Sequence, residues 1–119
     1  MITIEQLKEI QQRADKLKQY LAIDEKRVQL EEEELRTQDP GFWEDAKAAE
    51  AQMRKVKGIK AWIEGYEGVR AATEELQLAF DYCKEELVTE EEVDAAYAHA
   101  LKEVESLEMK NMLSHEEDQ

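Results

Sequence analysis

Few side chains in this 119-residue sequence have the type and spacing needed for catalysis or metal binding. His99 and Glu103 are four residues apart on a predicted helix, but two ligands are too few for a metal site. The acidic runs at 31–34 and 90–92 fan around a helix and cannot converge on a calcium ion. Phosphate-binding glycine loops, paired cysteines, metalloprotease motifs and nucleophile elbows are absent. We therefore predict no catalytic residue, cofactor, metal or small-molecule ligand, and hence no enzyme.

The charges are distributed unevenly along the chain. The net charge of −14 argues against binding of free DNA, because Lys and Arg supply most of the affinity for phosphates. Residues 85–119 hold twelve acids and two bases. By contrast, residues 8–27 hold six bases against four acids, and residues 44–60 hold five against three. Each basic stretch is either a surface for an anionic partner or an ordinary solvated helix face with i,i+4 ion pairs.

The composition indicates an all-α protein, with 39% charged residues, one proline and four glycines. No apolar run approaches the ~20 residues that span a bilayer. The first residues also lack the charged-then-apolar layout of a signal peptide. We expect a cytoplasmic protein with no membrane partner.

Apolar residues in the first third of the chain recur with heptad spacing. Thr3 followed by Gln6 is a capping-box signature, so a first helix is predicted over residues 4–35. Its apolar stripe consists of Leu7, Ile10, Ala14, Leu17, Leu21, Val28 and Leu35. Asp24 and Glu31 interrupt this stripe, so its second half is expected to pack less fully than the first.

Two further helices are predicted from the same spacing. The second covers residues 43–86 and contains three glycines, which indicate close helix contacts or a mild bend rather than helix ends. These are Gly58, Gly65 and Gly68. Thr89 and Glu92 repeat the capping box at the start of the third helix. This helix is predicted to end near Leu113, so that residues 1–113 form one helical domain and 114–119 a flexible acidic tail.

The segment at 39–43, Asp-Pro-Gly-Phe-Trp, is the one sharp break in the helical pattern. Pro40 lacks the N–H that a helix requires, and Gly41 has the freedom to turn, so the chain is predicted to reverse here. Phe42 and Trp43 follow directly and are predicted to cover the end of the hairpin as an apolar lid. Both tryptophans of the chain are potential partner anchors, but a buried packing role is favoured for each.

Short connections make successive helices antiparallel, so the first and third helices fold back on the longer middle one. At a rise of about 1.5 Å per residue, they overlap near residues 62–77. We predict a three-helix bundle there and a two-helix hairpin toward the turn.

The sequence also resembles the N-terminal region of bacterial peptide chain release factor 2 along most of its length. The segment Asp39-Pro40-Gly41-Phe42-Trp43-Glu44-Asp45 is the most specific part of this resemblance. Further matching segments are Gln12-Arg13, Leu17, Tyr20-Leu21, Ile23-Asp24-Glu25-Lys26-Arg27, Glu74-Glu75-Leu76-Gln77-Leu78 and Leu107-Glu108-Met109-Lys110-Asn111-Met112-Leu113-Ser114.

In that family, the corresponding helical domain lies toward the outer part of the ribosomal A site. It lies near the large-subunit stalk base and its GTPase-associated rRNA, and it bears on the action of the class II GTP-binding release factor. The resemblance implies these partners and no catalytic role. The family's stop-codon reading motif Ser-Pro-Phe and its hydrolytic Gly-Gly-Gln loop do not occur here. We therefore expect the chain to be the first domain of a translation termination factor.

Two basic groups are candidates for contact with rRNA. One consists of Lys16, Lys18, Lys26 and Arg27, and the other of Lys47, Arg54, Lys55 and Lys57. We predict that the second group makes the contact. The competing hypothesis is a free-standing coiled-coil adaptor or holdase-like helical module, which the heptad spacing supports equally well.

Overall fold

The computed structural model describes the backbone of residues 1–117 and the side chains through His115. Four α-helices and one 3₁₀ turn make up the regular structure of this part, which contains no strand. They are α1 (Ile4–Tyr20), α2 (Ile23–Arg36), the 3₁₀ turn (Phe42–Glu44), α3 (Ala46–Lys84) and α4 (Glu90–Glu117). The all-α prediction is confirmed, and α3 is the longest helix with 39 residues.

The prediction of one continuous helix over residues 4–35 is wrong, so the chain has four helices and not three. The helix is interrupted at Ala22, which has φ 49° and ψ 53°. This left-handed conformation is costly for any residue with a Cβ. Leu21 and Ile23, on either side of it, are both buried. In a continuous helix, residues two apart point to nearly opposite sides, so the break allows both side chains to be buried.

The break also changes which face of α2 is buried. Val28 and Leu35, which continue the heptad stripe in the sequence, are each 58% exposed. The buried side chains of α2 are instead Ile23 and Glu33. The apolar stripe that the heptad spacing predicts for α2 therefore faces solvent, and another face of α2 packs against the protein.

Replacing Ala22 by glycine should raise the free energy of unfolding by about 1 kcal/mol, because glycine adopts the left-handed conformation without the Cβ clash. Urea denaturation of the Ala22→Gly variant measures this. The control is Ala51→Gly on the exposed face of α3, which should lower stability by about 1 kcal/mol because glycine is a poor helix former. Destabilisation by Ala22→Gly would contradict the assigned conformation.

The chain forms two compact units, the first of which comprises Met1–Leu21 and the chain from Gly65 onward. It contains α1, the second half of α3, and α4. Its core includes Leu7, Ile10, Ala14 and Leu17 from α1, Tyr66, Val69, Ala72, Leu76 and Phe80 from α3, and Val93, Ala100, Val104 and Leu107 from α4, together with Ile2 and Leu21. Both predicted capping boxes are confirmed, at Thr3 with Gln6 and at Thr89 with Glu92.

Two predicted glycine contacts bring α3 and α4 of the first unit together. A Cβ on Gly65 would lie 3.1 Å from Leu107 Cδ1, and a Cβ on Gly68 would lie 3.1 Å from Glu103 Oε2. Gly68 comes after Gly65 in α3, whereas its neighbour Glu103 comes before Leu107 in α4, so these two helices are antiparallel. α3 continues through Gly58 as well, although nothing lies within 4 Å of a Cβ there.

Polar contacts tie α1 to α4 in the same unit. The Met1 amino group lies 3.0 Å from Asp94 Oδ2, and the Ile2 N–H donates to the same carboxylate over 3.1 Å. Arg13 donates two hydrogen bonds to Glu108, over 2.6 and 3.1 Å. These pairs show that α1 and α4 run parallel.

The second unit, Ala22–Glu64, contains α2, the turn and the first half of α3. Its buried apolar side chains are Ile23, Ala49, Val56 and Ile59. Lys26 Nζ of α2 lies 6.0 Å from the centroid of the Trp62 ring, and Glu33, further along α2, accepts from Gln52, which is earlier in α3, so α2 and this half of α3 are antiparallel.

α4 continues to Glu117, four residues past its predicted end at Leu113. Asp118 and Gln119 of the predicted tail 114–119 lie outside the described residues. No helix in the described part of the chain has the length and apolar character needed to cross a membrane.

Candidate interface for an anionic partner

The first half of α3 presents three of the four predicted contact residues on one outward face. The helix begins after Asp45, whose carboxylate accepts the Ala48 N–H over 3.1 Å. At 100° per residue, Lys47, Arg54 and Lys57 fall within an arc of about 80°. All three are exposed. They form what we call the basic face.

Little within the protein neutralises the basic face. Arg54 Nη1 lies 2.8 Å from Glu50 Oε1, with both side chains more than two-thirds exposed. An exposed i,i+4 pair of this kind is worth only about 0.3–0.5 kcal/mol, so a phosphate can compete with Glu50. Lys47 and Lys57 form no ion pair with any described residue. The basic face can therefore hold anionic groups by charge and hydrogen bonding.

Lys55, the fourth predicted residue, does not belong to the basic face. Its ammonium group lies 3.3 Å from Glu33 Oε1 on α2. Because Glu33 is only 5% exposed, Lys55 neutralises a buried carboxylate of the protein itself. The structure thus separates Lys55 from the three residues on the outward face.

Glu33 is a buried polar group that the sequence does not reveal, because it lies within an acidic run that reads as a solvated face. Gln52 Nε2 donates to its carboxylate over 2.6 Å and to its backbone carbonyl over 3.0 Å. The Gln52 hydrogen bond, followed by contacts with Lys55 and Arg36, lowers the pKa of Glu33 below its ordinary value. This network fixes how α2 and the first half of α3 face each other, and so which side of α3 is outward.

The turn at Pro40 and Gly41 reverses the chain as predicted. The Phe42 N–H donates to the Asp39 carbonyl over 3.0 Å, and the Glu44 N–H donates to the Gly41 carbonyl over 3.2 Å. Gly41 has φ −86° and ψ 0°, which other residues also adopt. The turn therefore does not depend on the special freedom of glycine.

The two aromatic residues of the turn lie in different environments. Phe42 is half-buried, whereas Trp43 is 65% exposed, so the predicted burial of Trp43 is wrong. Successive residues of a 3₁₀ turn point about 120° apart, so the two rings do not both face the interior. Their rings meet edge to face at 4.6 Å. Trp43 consequently lies on the surface of the second unit.

The alternative basic group is divided between elements. Lys16 and Lys18 belong to α1, whereas Lys26 and Arg27 belong to α2, beyond the break. Arg27 also lies 3.3 Å from Asp24. These four residues do not form a face of one helix, unlike Lys47, Arg54 and Lys57.

The described side chains offer no cluster of three or more His, Cys, Asp or Glu residues that could bind a metal. Glu103, paired with His99 in the sequence, lies instead against Gly68 of α3. What the second unit does offer is a helical surface for electrostatic contact. By its fold and its candidate site, the protein belongs to the class of all-helical domains with a basic surface on one helix.

Comparison with known proteins relates this helical domain to translation factors. The chain is similar to proteins named peptide chain release factor 2, at 33% identity in Acidithiobacillus ferrooxidans, 29% in Pseudoalteromonas translucida and 30% in Burkholderia pseudomallei. The alignments cover 92%, 97% and 94% of this chain but only 31%, 32% and 31% of the respective relatives. The chain thus spans about a third of their length, and the resemblance to this family is confirmed.

No protein-family model and no solved structure matches the chain.

Proposed function

We propose that this chain is the helical first domain of a translation termination factor and positions that factor on the ribosome. The proposal rests on the similarity to release factor 2 proteins over 92–97% of this chain. The site of contact we propose is the region of the large-subunit stalk base and its GTPase-associated rRNA. The class II GTP-binding release factor is a further proposed partner, and the cytoplasm is the proposed location.

In this proposal, the domain acts by binding and positioning, and catalyses no reaction itself. Lys47, Arg54 and Lys57 contact rRNA phosphates, while the Glu33 network keeps α3 turned so that these side chains face outward. Stop-codon reading and peptidyl-tRNA hydrolysis belong to parts outside this chain, since the Ser-Pro-Phe and Gly-Gly-Gln motifs do not occur in it.

Binding of the 119-residue chain to purified ribosomes, measured by co-sedimentation over a range of salt concentrations, tests the proposal. Arg54→Glu/Lys57→Glu should weaken binding about tenfold at low salt, because it replaces two phosphate contacts by repulsion. The slope of log affinity against log salt should fall by about one for each phosphate interaction that the variant removes.

The matched control is Lys8→Glu/Lys102→Glu, which makes the same change in net charge at exposed positions of the first unit. It should bind nearly as well as the original chain. Equal weakening by both variants would mean that net charge, rather than the basic face, decides the affinity.

The second candidate is a free-standing coiled-coil adaptor or holdase-like module. It is favoured by Val28 and Leu35, which are seven residues apart and both exposed on α2. No ribosome binding at low salt, together with concentration-dependent self-association in sedimentation experiments, would support this function instead.

A further inference from the structure

A shallow cavity with an apolar floor lies beside the basic face in the second unit. It has a volume of about 380 Å³ and is lined by Glu50, Met53, Arg54, Val56, Lys57 and Lys60. Val56 is buried and forms the floor, whereas Met53 is 43% exposed. At 100° per residue, Met53 lies about 40° from Lys57 around α3. Arg54 and Lys57 of the basic face therefore share one surface with an accessible apolar side chain.

The charges around this cavity are positive on balance. Residues 46–60 hold five bases and one acid, which is the weakly held partner of Arg54. Two carboxylates of α2 lie 3.3 Å from Lys55 and 3.9 Å from Lys60, which leaves a local charge of +2. Lys57 forms no ion pair with any described residue. At about 0.15 M salt, charges more than about 8 Å away are largely screened, so these local bases decide which ligand the cavity accepts.

An apolar surface between basic side chains fits an unpaired nucleotide better than an RNA double helix. A double helix presents phosphates and 2′-hydroxyls to a protein and keeps the faces of its bases stacked. It would cover Met53 with polar groups that make no favourable contact with it. An unpaired base exposes an aromatic face, with which a methionine sulfur makes a favourable contact and on which an arginine guanidinium stacks. Met53 and Arg54 supply these two groups side by side.

We propose that this cavity binds an unpaired base of the RNA whose phosphates the basic face contacts. The inference rests on the proposed function and makes it more specific, because the RNA segment is then a loop, a bulge or a single strand. Met53 contacts the face of the base, and Arg54 and Lys57 bind the phosphates next to it. An acidic protein segment is the alternative occupant, and it would leave the chemical reactivity of the RNA unchanged.

Chemical probing of rRNA in purified ribosomes, with and without the 119-residue chain at low salt, tests this proposal. Hydroxyl radicals cleave riboses in paired and unpaired segments alike, so protection from them locates the backbone contact. Acylation of 2′-hydroxyls reports nucleotides that are unpaired and mobile. Within the segment protected from radicals, we expect at least one nucleotide that is acylated in free ribosomes to lose this reactivity when the chain binds.

Variants of Met53 separate the base contact from the phosphate contacts. Met53→Ala should weaken ribosome binding about fivefold and restore acylation of that nucleotide at saturating protein, while the backbone protection remains. Because methionine is uncharged, the slope of log affinity against log salt should not change, unlike that of Arg54→Glu/Lys57→Glu. Met53→Leu keeps an apolar group and should retain the loss of acylation. The matched control is Met109→Ala, at a 54% exposed methionine of the first unit, which should behave as the original chain.

The outcomes distinguish this inference from the proposed function on which it rests. Backbone protection without any loss of acylation would overturn the inference and leave the proposed function intact. The same holds if Met53→Ala gives the affinity and the footprint of the original chain. Binding that depends on Met53 but changes no rRNA reactivity would assign the cavity to a protein partner instead. No ribosome binding at low salt would overturn both.

Discussion

Leu76→Ala should lower the free energy of unfolding by about 3 kcal/mol. Leu76 has no exposed surface and lies in the core of the first unit. Truncation removes buried apolar surface and leaves a cavity that the neighbouring helices can fill only in part. Chemical denaturation followed by circular dichroism measures the change.

The matched control is Leu78→Ala, two residues further along α3. Leu78 is 52% exposed, so the same truncation should change stability by less than about 0.5 kcal/mol. Comparable destabilisation at both positions would mean that the outward and inward faces of α3 are assigned incorrectly.

Gly65→Val should lower stability by about 2 kcal/mol, because it overpacks the contact between α3 and α4. The added Cβ alone would stand 3.1 Å from Leu107 Cδ1. Leu107 is itself buried and has little room to move away. Thermal denaturation should therefore show a clear fall in Tm.

Gly58→Val provides the comparison for this change. Gly58 lies inside the same helix, but nothing lies within 4 Å of its Cβ position. Valine is a better helix former than glycine by a few tenths of a kcal/mol, so this variant should be slightly more stable than the original. If both valine variants shift Tm in the same direction, the close approach at Gly65 does not limit packing.

The buried carboxylate of Glu33 determines which side of α3 carries the exposed basic face. Lys55 and Gln52 both contact Glu33 and hold one side of α3 against α2. Since a helix is rigid, fixing that side fixes the opposite side as well. Lys47 and Lys57 are then directed to solvent without any ion pair to a described residue.

Local interactions account for what the sequence predicts correctly. Each capping box is formed within four residues, so its pattern is sufficient to begin α1 and α4. The reversal near Pro40 follows from the missing N–H of proline. The continuity of α3 through its glycines follows from apolar spacing that persists on both sides of them. Of the predicted contact group, Lys47, Arg54 and Lys57 share a face because of helix geometry alone.

Lys55 and Trp43 show where local patterns fail. The sequence places Lys55 beside Arg54 in a basic stretch, but its role depends on a glutamate more than twenty residues earlier, Glu33. The aromatic pair at 42–43 predicts an apolar lid, yet the geometry of the turn exposes one ring. In both cases the burial and contacts of the side chain depend on where neighbouring elements lie. The residue types in the local sequence do not specify those positions.

The sequence by itself determined the helical class, the long helix α3, the turn and the likeness to release factor 2, because these depend on short-range spacing and on matching segments. Only the tertiary structure decided the break at Ala22. Its left-handed backbone costs about 1–2 kcal/mol, whereas burying an aliphatic side chain contributes about 1.5–3 kcal/mol. Since Leu21 and Ile23 are both buried as a result, packing outweighs the local preference for a continuous helix.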